Sequence, residues 1–330
     1  MIRRREFITL LGGAAATWPV AASAQQGERM RRVGVLMNAT KDDPHVWNRF
    51  SAFVQGLQQL GWTEGRNLKV DVRWGTLGGT VDRYLKDAAE LGLASDVILG
   101  STTPSLEALQ RATRTVPIVF AMIVDPAGQD FVESLARPGG NITGFMQFEY
   151  SLAGKWLELL KQIAPSVTRA AVLRDPTSRS GIGQFAVIQA VAPQLGIEVA
   201  PVNVRDAVEI ERRIAAFASS PNGGLVMTGG AETAHRELIF RLVAQYRLPA
   251  VYPYRYHVDD GGLVSYGPDL PDLFRQAASY VDRILKGEKP SDLPVQAPTR
   301  YELIINLKAA KAIGLDVPPA VLVRADEVIE

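Results

Sequence analysis

Three consecutive hydroxyls, Ser101-Thr102-Thr103, separate an apolar run from a stretch with helical spacing. Val97 to Leu99 reads as a short buried strand, and Leu106, Leu109 and Ala112 recur at the spacing of one helix face. Pro104 suits the first helical position, where its missing N–H costs nothing, and Thr103 before it suits the N-cap. Strand, hydroxyl turn and helix start place these side chains at the carboxyl edge of an open α/β sheet, where ligands bind. The free N–H groups and the dipole of the helix favour an anion there, such as a carboxylate. An ordinary βα turn with a good cap has the same residue types.

Other reactive groupings are sparse. His45, His235 and His257 share no metal-ligand spacing and read as surface or packed histidines. Neither a G-x-S-x-G elbow nor a P-loop nor a strand-linked G-x-G-x-x-G occurs, and Gly75, Gly78 and Gly79 have the wrong spacing for a dinucleotide turn. Asp42-Asp43 and Asp259-Asp260 are acidic pairs that fit caps or solvated loops better than paired acid–base catalysis. The chain has no cysteine, so a disulfide framework and a thiolate metal site are excluded. No cofactor or metal is expected.

The elements that must hold the hydroxyl turn can be traced along the chain. Its 330 residues are 47% hydrophobic and 22% charged, a folded composition of one large or two medium domains. Arg32 to Met37 reads as a buried strand, and Pro44 opens a helix whose apolar face holds Trp47, Phe50, Val54, Leu57 and Leu60, ended by Gly61. Leu68, Val70, Val72 and Trp74 alternate with charged residues as a half-buried strand. A helix follows from Val81, then the central strand and turn, then strands at Pro117–Phe120 and Ile142–Phe145. That β-α-β-α-β-α-β-α-β order argues for a parallel, doubly wound sheet. The alternation restarts after Tyr150, with Ser151 as a helix cap, Asp206 and Glu209 as a capping box, and a helix from Glu232 to Tyr246. Two α/β units of similar size therefore meet near residues 146–150. The tail holds a helix at 270–285, a proline-rich stretch from Pro290 to Pro298, and a strand at Tyr301–Asn306.

The first residues read as a secretory signal. Arg3-Arg4-Arg5 begins a basic region, Phe7 to Val20 is apolar and rich in small residues, and Ala22-Ser23-Ala24 is an A-x-A cleavage site. Arg4-Arg5-x-Phe7-Ile8 fits a twin-arginine version, with a Sec signal as the alternative. The formal net charge is +1, and removing residues 1–24 takes three Arg and one Glu with it, leaving −1. An exported, nearly neutral chain has no general electrostatic pull toward nucleic acid.

Several motifs carry a family resemblance: Val33-Gly34-Val35-Leu36, Gly61-Trp62-Thr63-Glu64-Gly65-Arg66-Asn67-Leu68, Pro117-Ile118-Val119-Phe120 with Asp125-Pro126, Arg137-Pro138-Gly139-Gly140-Asn141-Ile142-Thr143-Gly144, Gly261-Gly262-Leu263-Val264-Ser265-Tyr266-Gly267 and Tyr301-Glu302-Leu303-Ile304-Ile305-Asn306. Over nearly all of the mature chain the sequence resembles the ABC-transporter substrate-binding proteins that include tryptophan- and tyrosine-binding receptors. The resemblance implies a type I periplasmic-binding fold: two doubly wound parallel-sheet α/β lobes joined by three crossover strands. The crossovers fall near Gln147–Tyr150, Leu263–Tyr266 and Val295–Pro298. Lobe one then comprises residues 31–147 and 267–296, and lobe two residues 148–266 and 297–330.

The resemblance also implies a periplasmic, non-enzymatic receptor, cut after Ala24. It would close by a hinge on an amino acid or aromatic acid and deliver it to an inner-membrane permease. It would work as a monomer, without nucleic acid and without membrane insertion of the mature chain. An exported sensor module for a membrane receptor is the alternative, and a periplasmic α/β enzyme a more distant one. The ligand should lie between the carboxyl edges of the two sheets. Those edges end at Asn38, Ser101-Thr102-Thr103 and Asp125 in lobe one, and at Asp175, Gly230 and Tyr254 in lobe two. Phe148, Tyr254 and Tyr266 are aromatic candidates for stacking, with hinge packing as the other reading. Asp125 and Asp175 each precede a proline, so a helix-start role competes with a ligand ammonium.

Overall fold

Apolar runs bounded by glycine, proline and polar turns set the strands, and helices with one apolar stripe cover them. The computed structural model describes residues 30–76, 80–231 and 235–330. The expected signal segment, and Glu232 where a helix was expected to begin, lie outside those residues. The first half runs β1 (Arg31–Leu36), α1 (Pro44–Gln59), β2 (Leu68–Arg73), α2 (Val81–Ala94), β3 (Val97–Ser101), α3 (Thr103–Ala112), β4 (Ile118–Val124) and β5 (Ile142–Phe148). The second runs α4 (Leu152–Ile163), β6 (Arg169–Arg174), α5 (Arg179–Val191), β7 (Glu198–Asn203), α6 (Ala207–Ala218), β8 (Gly223–Met227), α7 (Arg236–Gln245), β9 (Ala250–Tyr252), α8 (Arg255–Asp259) and β10 (Val264–Gly267). The tail adds α9 (Leu270–Leu285), β11 (Glu302–Asn306), α10 (Leu307–Ile313), α11 (Pro319–Leu322) and β12 (Glu327–Ile329).

The strands form two sheets, in the orders β2-β1-β3-β4-β5 and β12-β11-β10-β9-β8-β6-β7. The first is parallel throughout. Its inner strands β3 and β4 are buried at every position, as strands covered on both faces must be, whereas β2 at the edge stays half-exposed. The second sheet departs from a wholly parallel arrangement: β11 runs antiparallel to β10, with Val264 opposite Ile305. The chain enters β11 from a crossover rather than from a helix packed on that sheet, and so arrives from the opposite end.

The chain passes between the two sheets at three places. It leaves β5 for α4, leaves β10 for α9, and returns through Gln296. There the Gln296 N–H donates to the Gly144 carbonyl at 3.0 Å and its carbonyl accepts from Met146 N–H at 2.9 Å, before β11 begins. Helix α9 packs along α1 of the first half; a Cβ added at Gly56 would lie 2.8 Å from the Ala278 Cβ. Trp62 Nε1 donates to Asp282 Oδ1 at 2.9 Å and ties the turn after α1 to the same helix.

Several local expectations need correction. Helix α3 begins at Thr103, with Thr102 as N-cap residue, and no side chain caps it. Ser151 precedes α4 in a helical conformation and caps nothing with its hydroxyl. Trp156 is fully buried, but Trp47 is 49% exposed. Trp47 sits beside Phe50 and Trp74 on the surface, because the inner stripe of α1 is filled by Val46, Arg49, Phe53 and Leu57 instead. Asp206 does cap α6, accepting from Glu209 N–H at 2.7 Å.

Candidate functional site

The ends of β1, β3 and β4 face the ends of β6 and β8 across a cavity of about 50 Å³. Asn38, Thr102, Thr103, Met122 and Gln147 line it from the first half, and Asp175, Ser178, Ser180 and Gly230 from the second.

The hydroxyl turn divides its labour. Ser101 is fully buried, and its Oγ donates to the Leu36 carbonyl at 3.2 Å, stitching β3 to β1. Thr103 Oγ1 donates to Gln129 Oε1 at 3.1 Å. Ser105 Oγ donates to the Ser101 and Thr102 carbonyls. These hydroxyls are therefore spent on carbonyl and amide oxygens, and the first-turn N–H groups of α3 keep no side-chain cap. Thr102 itself has φ 67° and ψ 155°, a conformation that β-branched residues rarely adopt. Such outliers cluster where a ligand clamp over-determines the backbone.

A second helix start faces the first. Ser178 is the N-cap residue of α5 and also makes no side-chain cap bond. The Ser180 hydroxyl turns away from that helix end and donates to the Gly229 carbonyl at 3.2 Å. Gln184 fixes the same loop: its Nε2 donates to the Gly229 carbonyl, and its Oε1 accepts from Gly229 N–H, each at 2.8 Å. Gly230 then takes φ +82°, which glycine adopts freely, and brings backbone to the cavity wall. Two helix N-termini without side-chain caps thus converge on one cavity, and each end carries a partial positive charge.

The remaining polar groups suit the complementary charge. Asn38 is 5% exposed, and its Oδ1 has no hydrogen-bond partner among the described residues. Tyr84 Oη donates to the Thr76 carbonyl at 3.1 Å, and burial pushes its phenol pKa up, so it stays neutral. Asp175 is the one charged side chain lining the cavity among the described residues. Its Oδ1 accepts from Thr177 N–H and Oγ1, and its Oδ2 from Arg205 Nη1 at 2.7 Å. No cation lines the cavity among the described residues, so an anion there would rest on dipoles and N–H groups.

The other sequence candidates have different places. Asp125 does not line the cavity: its Oδ1 accepts from Gly128 N–H at 2.9 Å, the turn role that competed with ligand binding. Phe148 is fully buried, edge-on to Trp156 at 5.3 Å and pressed on the Gly229 backbone, which is hinge packing. Tyr254 is buried behind the cavity and donates from Oη to Gln147 Oε1 at 2.6 Å. Tyr266 is not at this site. It lies beside Tyr301, ring centroids 5.8 Å apart, on a separate depression, because β10 turns that side chain toward α4 and β11.

Sequence reasoning missed Gln147, Met122, Ser178 and Ser180. Gln147 Nε2 donates to the Met122 carbonyl at 3.1 Å while its Oε1 takes the Tyr254 hydroxyl, so one amide joins the two sheets. A lone amide in a fully buried strand, with Thr143 as its one other polar side chain, was the available signal. Met122, at φ 65°, sits at a register shift in β4 that no sequence pattern marks.

Ion pairs cross between the halves on both flanks. Arg179 Nη1 donates to the Gln129 carbonyl at 2.9 Å and to Asp130 Oδ2 at 3.2 Å. On the other side Arg236 reaches Asp43 at 3.8 Å, and His45 Nε2 meets Asp260 at 3.2 Å. His45 is thus a partly exposed histidine that contacts the other half through Asp260 and Tyr256. His257 is a packed one, its pKa pushed down to about 3 by burial. Among the described residues, no group of three or more His, Asp or Glu is placed to hold a metal.

The same fold recurs in known proteins. A family model described as ABC transporter substrate binding protein matches residues 35–329. A tyrosine-binding protein of Clostridioides difficile is 22% identical over 293 residues, covering 87% of this chain and 82% of the relative. A solved conserved domain protein of Vibrio cholerae superposes with a TM-score of 0.82 at 28% identity, over 91% of this chain and 100% of its own. The ABC domain of Streptococcus pneumoniae, solved in complex with L-Trp, gives 0.82 at 25% identity with the same coverage. With a family match over nearly its whole described length, the chain belongs to the ABC transporter substrate-binding protein family.

Proposed function

We propose that this chain captures an amino acid or aromatic acid by its carboxylate between two lobes and hands it to an ABC permease. The observation that carries the reading is the pair of helix N-termini, at Thr102–Thr103 and Ser178, facing one interlobe cavity without side-chain caps. The carboxylate lies between them, and Asn38 Oδ1 with Asp175 takes the ammonium of an amino acid. The relatives support this class of ligand: one is named for tyrosine and another was solved with L-Trp.

The lobes comprise residues 31–147 with 267–296, and 148–266 with 297–330. The cavity of about 50 Å³ is well below the roughly 300–1,000 Å³ of pockets that enclose a whole small-molecule ligand. An aromatic side chain therefore enters with the lobes further apart, and the bound state closes on it less fully. The site residues are Asn38, Thr102, Thr103, Asp175 and Gly230, with Ser101, Asp125, Phe148 and Tyr254 holding the walls. The chain acts in the periplasm after cleavage behind Ala24, binds without turnover, and works as a monomer. No helix among the described residues is long and apolar enough to cross a membrane.

A thermal-shift panel of amino acids, aromatic acids, sugars and nucleosides tests the reading. Ligand at a hundred times its Kd adds about 2.7 kcal/mol. One carboxylate class should raise the melting temperature by several degrees, and Thr102→Ala/Thr103→Ala should reduce the rise. A rise with neutral sugars or nucleosides alone would sink the carboxylate assignment.

A further inference from the structure

A larger cavity, of about 420 Å³, lies on the other side of Tyr254. That is the size of a small-molecule pocket. His45, Asn48 and Arg49 of α1 form one wall, and Tyr254, Arg255 and Tyr256 of the other half form the opposite one. The two tyrosine rings stack 5.4 Å apart, and His45 stacks on Tyr256 at 4.9 Å, so part of the lining is flat and aromatic.

Arg49 is the unusual member. It is 3% exposed, yet no carboxylate lies within 4 Å of its guanidinium among the described residues. Its Nη1 donates to the Met122 thioether at 3.2 Å, its carbon lies 6.0 Å from the Phe274 ring centroid, and its Nε has no partner among the described residues. A thioether and a ring face do not neutralise a buried guanidinium, and an unpaired buried charge is among the costliest features a fold can carry. The acids on the cavity wall are engaged elsewhere. Asp259 pairs with Arg255 at 3.5 Å, Glu302 with Arg300 at 3.7 Å, and Asp269 accepts the Asp272 N–H. Arg275 in turn pairs with Asp272.

We propose that Arg49 and the aromatic wall form a second interlobe site, for a small oxyanion such as a carboxylate or a phosphate. The guanidinium N–H groups not spent on Met122 are charged donors of the kind such anions accept. A ligand there touches both halves of the molecule, so it favours the closed form alongside whatever occupies the first cavity.

The test is calorimetric titration of the full chain with benzoate and, separately, inorganic phosphate. The expected result is saturable binding of at least one probe that persists in Thr102→Ala/Thr103→Ala. In Arg49→Gln the same binding weakens by about thirtyfold or more, the loss typical when one partner of a buried charge pair is truncated. Benzoate alone marks the site as one for carboxylates, and phosphate alone as one for phosphate groups. Asn48→Trp fills the cavity from its exposed wall and should also block binding, which keeps the test readable if Arg49→Gln does not fold. The proposal is overturned if neither probe binds, or if binding survives filling of the cavity. It is equally overturned if binding is lost in the Thr102/Thr103 variant while Arg49→Gln retains it.

Discussion

Thr102→Gly should be the more stable of two variants at this position, Thr102→Gly and Thr102→Ala, although both remove the same hydroxyl. Thr102 holds φ 67° and ψ 155°, a region that is essentially glycine's own. A side chain held there raises the native-state energy by about 1–3 kcal/mol. Glycine relieves that strain and gives back roughly 0.5–1 kcal/mol through its greater freedom in the unfolded chain. Thr102→Gly is therefore neutral or stabilising, by up to about 2 kcal/mol. Thr102→Ala keeps a Cβ at the same φ and keeps most of the strain. The two variants should differ by about 1 kcal/mol or more, or roughly 2–4 °C in Tm for a chain of this size. Scanning calorimetry and urea unfolding of the ligand-free protein measure the difference directly. If the turn is strained in order to aim its N–H groups at a ligand, the glycine variant should also bind the cleft ligand more weakly while being the more stable of the two. A glycine variant that melts at or below the alanine variant refutes the strain argument.

Other perturbations have equally definite outcomes. Gln147→Leu removes the acceptor of the Tyr254 hydroxyl and the side-chain donor to the Met122 carbonyl, which should remove about 1–3 kcal/mol in urea unfolding. Gly229→Ala would set a Cβ 2.3 Å from Phe148 Cζ, and the overpacking should cost about 1–3 kcal/mol and disturb the neighbouring Gly230 wall. His257 is held neutral by burial, its pKa lowered from 6.5 to about 3. Between those values the unfolded chain binds a proton that the native one refuses. Stability should thus be full above pH 6.5 and fall with acid, with a contribution from this group of about 1.4 kcal/mol per pH unit near pH 5. His257→Gln should flatten that part of the profile, and an unchanged slope would count against the assignment.

The architecture was legible because parallel α/β folds write themselves in period and order. Apolar runs such as Val97 to Leu99 and striped helices such as Leu270–Leu285 leave few alternatives. The antiparallel β11 was not legible, since an isolated strand pattern carries no direction. At the site, residues at the carboxyl ends of strands were predictable: Asn38, Thr102, Thr103, Asp175 and Gly230 all line the cavity. Residues whose role depends on which way a buried side chain turns were not. Tyr266 and Phe148 have the same chemistry as a stacking aromatic, and only the packing of β10 and the approach of Gly229 decide where their rings go. Trp47 misled for a related reason, because the apolar stripe of α1 is wider than the surface it buries. Arg49 is the converse case, a charge inside an apolar stripe whose burial no spacing rule anticipates.

In the proposed binding mode the ligand carboxylate lies between the N-terminal turns of α3 and α5. Calorimetric titration with matched pairs, each an amino acid or aromatic acid and its carboxamide, tests it most directly. The amide keeps the side chain and removes only the negative charge. Binding of the acid, with the amide weaker by about thirtyfold or more, is the result this arrangement predicts, since the helix ends then lose the charge they stabilise. Equal affinity for acid and amide would contradict it and place the recognition elsewhere in the cleft.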